Sequence, residues 1–227
     1  MMRDRLETYE QFVETLNEAG FLPLSANPVG MPNVADLTAP NQWHTGLDTD
    51  PWQWKSRVVE EGRAAFGKVF AGRPAFIAPA WMPLLLAARR GGATVEERWE
   101  DGALSPGAVR IWELFAGGRE RMAAHDIRRL AGFGGGSTTR FDVAMIELQM
   151  GMFLTVCGQT RKVTLDGRPH GWPVLEYAPV ERWVWPDAWQ QGLAMNRDEA
   201  IEALLAQLAS LRPGLTRARA LKFLLGE

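Results

Sequence analysis

Between Ser105 and Pro179 the hydrophobic pattern changes its period once, from helical stripes to strand alternation, and this constrains the fold more than any other feature of the chain. Ser105-Pro106 is a helix start, and Ala108, Ile111, Trp112 and Phe115 then recur on one helical face until Gly117-Gly118. Met122 to Ala131 reads as a second short helix with Ile127, Leu130 and Ala131 inward, closed by Gly132. After Phe133-Gly134-Gly135-Gly136, Ser137 is the expected N-cap of a third helix whose inner face is Phe141, Ala144, Met145 and Leu148. Phe153-Leu154-Thr155-Val156-Cys157 then reads as a strand, Asp166-Gly167 as a hairpin turn, and Val174-Leu175-Glu176-Tyr177 as the returning strand.

Three short helices followed by a β-hairpin is the order of a winged helix, so the expected class is α+β, mainly helical. In such modules the third helix usually lies in the major groove of double-stranded DNA and the hairpin touches a flanking groove or the backbone. Ser137, Thr138, Thr139 and Arg140 then stand where helix N-terminal amides meet phosphate, Arg161, Lys162 and Arg168 lie on the wing, and Arg128 and Arg129 add backbone contacts. Against this, the outward face of the third helix carries Asp142, Ile146, Gln149 and Met150, which is apolar for a base-reading surface. That face either packs on the N-terminal part or meets a protein partner. The alternative is therefore a transcriptional regulator or interaction scaffold without enzymatic activity.

Elsewhere the chain is mostly helical. Glu7 to Ala19 places Phe12, Val13 and Leu16 on one stripe and ends at Gly20. From Phe21 to Trp43, four prolines exclude a long helix or a central strand. Pro51 to Phe66 reads as a helix with Asp50 as N-cap, and Phe76 to Ala88 as a buried segment interrupted by Pro83. Asp198 to Leu211 and Thr216 to Leu225 close the chain as helices, with Trp183, Trp185 and Trp189 packing before them.

Composition narrows the function classes. A formal net charge of −2 excludes a strongly basic coat, although residues 105–170 carry +3 while the flanking segments carry −4 and −1. No run of about 18 apolar residues occurs and the N-terminus is charged, so neither a membrane span nor a signal peptide is expected. The single cysteine, Cys157, cannot form an internal disulfide, which points to a reducing, cytoplasmic setting. His44, His125 and His170 lack ligand-spaced neighbours, and Gly134-Gly135-Gly136 lacks the residues of a phosphate loop, so no metal or cofactor is expected.

One segment can carry chemistry. Gln42-Trp43-His44-Thr45-Gly46-Leu47-Asp48-Thr49-Asp50-Pro51-Trp52-Gln53-Trp54 packs three tryptophans, two carboxylates and a histidine into a loop leading to a helix N-terminus. An ionised Asp50, helped by Asp48, could activate water while Trp43, Trp52 or Trp54 holds an extruded base by stacking. The plainer alternative makes Asp50 an N-cap, Asp48 a turn residue and the tryptophans core.

This segment and the winged-helix module together resemble the AlkZ-type winged-helix DNA glycosylases, and more closely their shorter bacterial AlkZ-related relatives, to which the likeness covers nearly the whole chain. It is carried by Gln42-Trp43-His44-Thr45-Gly46, Asp50-Pro51-Trp52-Gln53-Trp54, Phe66-Gly67-Lys68, Arg89-Arg90 and Leu148-Gln149-Met150. The resemblance implies tandem winged-helix-like units, a role with alkylated or crosslinked DNA, and a possible hydrolase of N-glycosidic bonds. The expected division is a winged-helix-like region over 1–104, a winged-helix domain over 105–185 and a helical segment over 186–227. The family's water-activating Gln-x-Gln or Gln-x-Asp motif falls on Asp48-Thr49-Asp50, with Asp48 in the place of the glutamine.

Overall fold

The structure, a computed structural model, describes residues 5–134, 138–164, 166 and 168–226. One order of elements occurs twice in it. Helix α1 (Tyr9–Ala19), strand β1 (Phe21–Pro23), helices α2 (Val34–Leu37) and α3 (Pro51–Glu60), and strands β2 (Ala65–Phe70) and β3 (Arg73–Ile77) come first. After α4 (Met82–Arg89) and α5 (Val95–Glu100), the order returns as α6 (Pro106–Ala116), β4 (Met122–Ala123), α7 (Ala124–Leu130), α8 (Thr138–Met150), β5 (Leu154–Val163) and β6 (Pro169–Pro179). Helices α9 (Val180–Trp183), α10 (Pro186–Ala194), α11 (Arg197–Leu211) and α12 (Arg217–Leu225) complete the chain.

The strands form one antiparallel sheet in the order β1-β3-β2-β5-β6-β4. Each half places its short strand beside the outer strand of its hairpin, and the two hairpins join where Phe66 of β2 pairs with Val156 of β5. Pro23, which has no N–H to give, sits on the edge strand β1, where that omission leaves no ladder bond unmade on the open side. Ala71 and Gly72, both at positive φ (49° and 68°), connect β2 to β3 in the two-residue form that suits the twist of a hairpin.

Strand alternation divides the core across the sheet. Phe66 and Phe76 pair with each other and face a cluster with Phe12, Trp54, Ile111, Phe115, Leu148 and Phe153. Ala65 and Ile77 face the other way, onto Phe21, Phe70, Leu85, Leu204, Leu208 and Phe223. Helices α1, α3, α6 and α8 thus cover one face, while α4, α11 and α12 cover the other.

Several local expectations need correction. The helix from Pro51 ends at Glu60, because Gly62 turns the chain at φ 65° and Ala65-Phe66 enter a strand. Strands β2 and β3 are buried on both faces, so they lack the polar alternation that reveals a half-exposed strand. Pro83 opens α4 rather than breaking a helix, at a first-turn position where its missing N–H has no partner in any case. Met122 and Ala123 leave the second helix of that module and form β4, and both strands of the last hairpin are longer than read.

The two repeats are tied through Gln149, which is buried in α8. Its Oε1 accepts the main-chain N–H of Lys68 at 2.9 Å and its Nε2 donates to the Met145 carbonyl at 2.8 Å. A Cβ on Gly67 would stand 3.0 Å from that Oε1, which explains why glycine occupies the approach. On the same face of α8, Ile146 packs against Gly72. Gln149 and Ile146 of the outer stripe of α8 therefore meet the first hairpin, while Asp142 stays exposed. Arg89, also buried, donates to the Leu224 and Met150 carbonyls at the ends of α12 and α8. Arg90 pairs with Glu181 at 2.8 Å and donates to the Met152 carbonyl at 3.1 Å.

Candidate nucleic-acid interface

The segment from Gln42 to Trp54 is a loop closed on Asp50. The Asp50 side chain has no exposed surface, and its oxygens accept the N–H groups of His44 (3.1 Å), Gly46 (3.0 Å) and Trp52 (2.9 Å). The last bond is an N-cap on α3; the other two pull the loop back over the helix start. His44 is held at φ 60°, a conformation costly for a residue with a Cβ. Asp48 is exposed, and its carbonyl accepts the indole N–H of Trp54 at 2.7 Å.

The three tryptophans have different surroundings. Trp54 is buried and stacked on Phe12 with centroids 5.4 Å apart. Trp43 donates to Thr38 Oγ1 at 2.9 Å and packs on the same core. Trp52 is 40% exposed, lies 5.1 Å from the His44 ring, and carries the Lys55 ammonium 3.2 Å from its ring centroid. Trp52 and Lys55 share a helix face at i, i+3, the spacing that would have drawn attention to Lys55 in the sequence.

That face opens on a cleft of about 840 Å³ between the loop and the second hairpin. One wall is His44, Thr45, Asp50, Trp52 and Lys55; the other is Gln159, Arg161, Trp172 and Leu175. The second wall owes its shape to a bulge. Thr160 pairs with Val174 and Lys162 with His170, so Gly171, Trp172 and Pro173 oppose Arg161 alone. Gly171 at φ 75° permits the turn-out, and Trp172 emerges 88% exposed. Nothing in the hydrophobic pattern signals a tryptophan aimed at solvent, and Trp172 was missed for that reason.

The remaining residues expected at a nucleic-acid surface are spread more widely. Ser137 and the Thr138 side chain lie outside the described residues, as does the side chain of Lys162. Thr139 and Arg140 are exposed at the start of α8, apart from the described lining of the cleft. Arg168 is exposed but bound to Asp166 at the hairpin tip, and the Thr164 hydroxyl, with Arg168 second, holds the Asp166 pKa below its ordinary value. Arg128 and Arg129 border a shallow depression with His125, and His125, Arg121, Arg161 and His170 border another on the far side of β5. Arg161 belongs to both the cleft and that depression, where Asp126 and Glu176 stand among the cationic side chains.

The cleft offers the exposed indoles of Trp52 and Trp172 for stacking and the cations of Lys55 and Arg161 for phosphate, the two elements of single-base and backbone binding. Among the described residues no helix is long and apolar enough to cross a membrane. Among them no group of three or more His, Cys, Asp or Glu side chains is placed to hold a metal ion. Cys157 is buried, which pushes its thiol pKa up to about 12.

A family model described as AlkZ related matches residues 6–225. No curated protein matches the chain. Among solved structures, the Streptomyces sahachiroi DNA glycosylase AlkZ is similar, with 10% identity and a TM-score of 0.49 over 97% of this chain. The chain spans 59% of that protein's length.

Proposed function

Because the chain belongs to the AlkZ-related family, we propose that it is a DNA-binding protein of tandem winged-helix build, acting in the repair of alkylated or crosslinked bases. The observation that carries the reading is the cleft between the Asp50 loop and the second hairpin, with Trp52 and Lys55 on one wall and Arg161 and Trp172 on the other. The doubled element order supports two winged-helix units, 1–104 and 105–185, with 186–227 as a helical support.

In this reading the outer stripe of α8 does not read bases, since its Gln149 and Ile146 are engaged by the first hairpin. Contact falls to the start of α8, the wing and the cleft. The same contacts leave less of that stripe free for a protein partner. Fluorescence anisotropy of labelled duplex DNA across a salt series tests the proposal: affinity must fall with rising salt as phosphate counterions are released. Absence of binding at low salt contradicts it.

A second reading, glycosylase activity through Asp50 with Asp48, is favoured by the place of Asp50 at the base of the loop that borders the cleft, where its side chain is buried. Its geometry as it stands is that of a clasp, with both oxygens taken by main-chain N–H groups. Incubation with N-alkylated DNA, scored for abasic sites with the wild type and Asp50→Asn, separates the two roles. Abasic sites formed by the wild type and lost in Asp50→Asn support catalysis, provided the variant is folded.

A further inference from the structure

Lysine is scarce in this chain, with four against twenty-one arginines, and one of the four lies in the cleft. The Lys55 side chain is half-buried and has no carboxylate partner among the described ion pairs. Its Nζ rests on the Trp52 ring at 3.2 Å, inside the space bounded by His44, Arg161 and Trp172. An arginine would supply phosphate binding here as elsewhere on the molecule. What a lysine adds is an amine that can lose its proton and become a nucleophile.

We propose that Lys55 is a carbonyl-reactive amine whose substrate is the aldehyde of an abasic deoxyribose in DNA. The lone pair of the neutral Nζ adds to C1′ of the ring-opened sugar, and the carbonyl π electrons move to oxygen. The two protons of the amine leave with that oxygen as water, so amine and aldehyde become imine and water with no oxidant or reductant.

Burial lowers the Lys55 pKa to about 8. Roughly a quarter of a group with that value is free amine at pH 7.5, against about 0.1% for an ordinary lysine. The indole under the ammonium works in the opposite direction, since it favours the cation, so desolvation is the larger effect here.

The proposal rests on the reading that the cleft holds DNA, and the two can fail separately. A duplex with one abasic site is incubated with the full chain and sodium cyanoborohydride, and its binding is followed in parallel by anisotropy. The expected result is a covalent protein–DNA band that maps to the Lys55 peptide and falls at least tenfold in Lys55→Arg and Lys55→Ala. Adduct yield of each variant is compared at a protein concentration that saturates its own binding curve, so that weaker binding is not scored as lost chemistry. Binding without an adduct overturns the Lys55 proposal and leaves the DNA reading intact. An adduct that persists in both variants, or maps to another residue, also overturns it, and absence of binding overturns both.

Discussion

The Nζ of Lys55 stands 3.2 Å from the centroid of the Trp52 ring, on the wall of a cleft whose far side is a hairpin of the other repeat. A cation on an indole is held by the ring quadrupole, yet burial here disfavours the charge. The Lys55 pKa should therefore be found near 8, well under the other lysines, by lysine side-chain NMR on the intact chain. The titratable and charged groups that line the cleft with it are His44, Asp50, Glu60 and Arg161. Since the unfolded chain holds this proton up to 10.5, Lys55 makes stability rise with pH between about 8 and 10.5, an increment absent from Lys55→Met.

Asp50→Ala removes an N-cap and two loop bonds at once and should cost about 1–3 kcal/mol in urea unfolding. Chemical shifts of the His44 and Gly46 amides should move with it. An Asp50→Ala protein as stable as wild type, with those amides unmoved, would show that the loop does not depend on the clasp.

Gly67→Ala should push Gln149 out of its bond to Lys68 and loosen the junction between the two repeats. A destabilisation of roughly 1–3 kcal/mol is expected, from crowding and a main-chain N–H left unpaired. Gln149→Ala in the same background should then add little further loss, because the two changes break one contact.

These positions show how much the sequence disclosed. The three-helix-then-hairpin order over 105–179 was legible because the helices carry apolar residues at helical spacing and the turns carry glycine. The first repeat was not, since β2 and β3 are buried on both faces and β1 is three residues long inside a proline-rich stretch. At the site, Trp52 was picked out by its cluster, but clustering alone cannot separate it from Trp54, which fills the core. The opposite wall depends on a bulge and on two distant segments meeting, which no local pattern encodes. The resemblance segments also prove to be mutual contacts: Phe66-Gly67-Lys68 meets Leu148-Gln149-Met150 through Gln149, and Arg89 reaches Met150.

Trp172→Ala should leave thermal stability within about 0.5 kcal/mol, because the ring is 88% exposed. If the ring stacks on a base, the same change weakens DNA binding by about 1–3 kcal/mol, or some five- to hundredfold. Loss of stability without loss of binding would reverse the role assigned to it.

The cleft as a DNA site is tested most directly by anisotropy titration of a labelled duplex, at low and moderate salt, with the wild type and a Trp52→Ala, Trp172→Ala double variant. Binding that falls with salt, and an affinity at least tenfold lower in a double variant that remains folded, is the predicted result. Equal affinity of the folded double variant and the wild type, or no binding by the wild type at low salt, would contradict it.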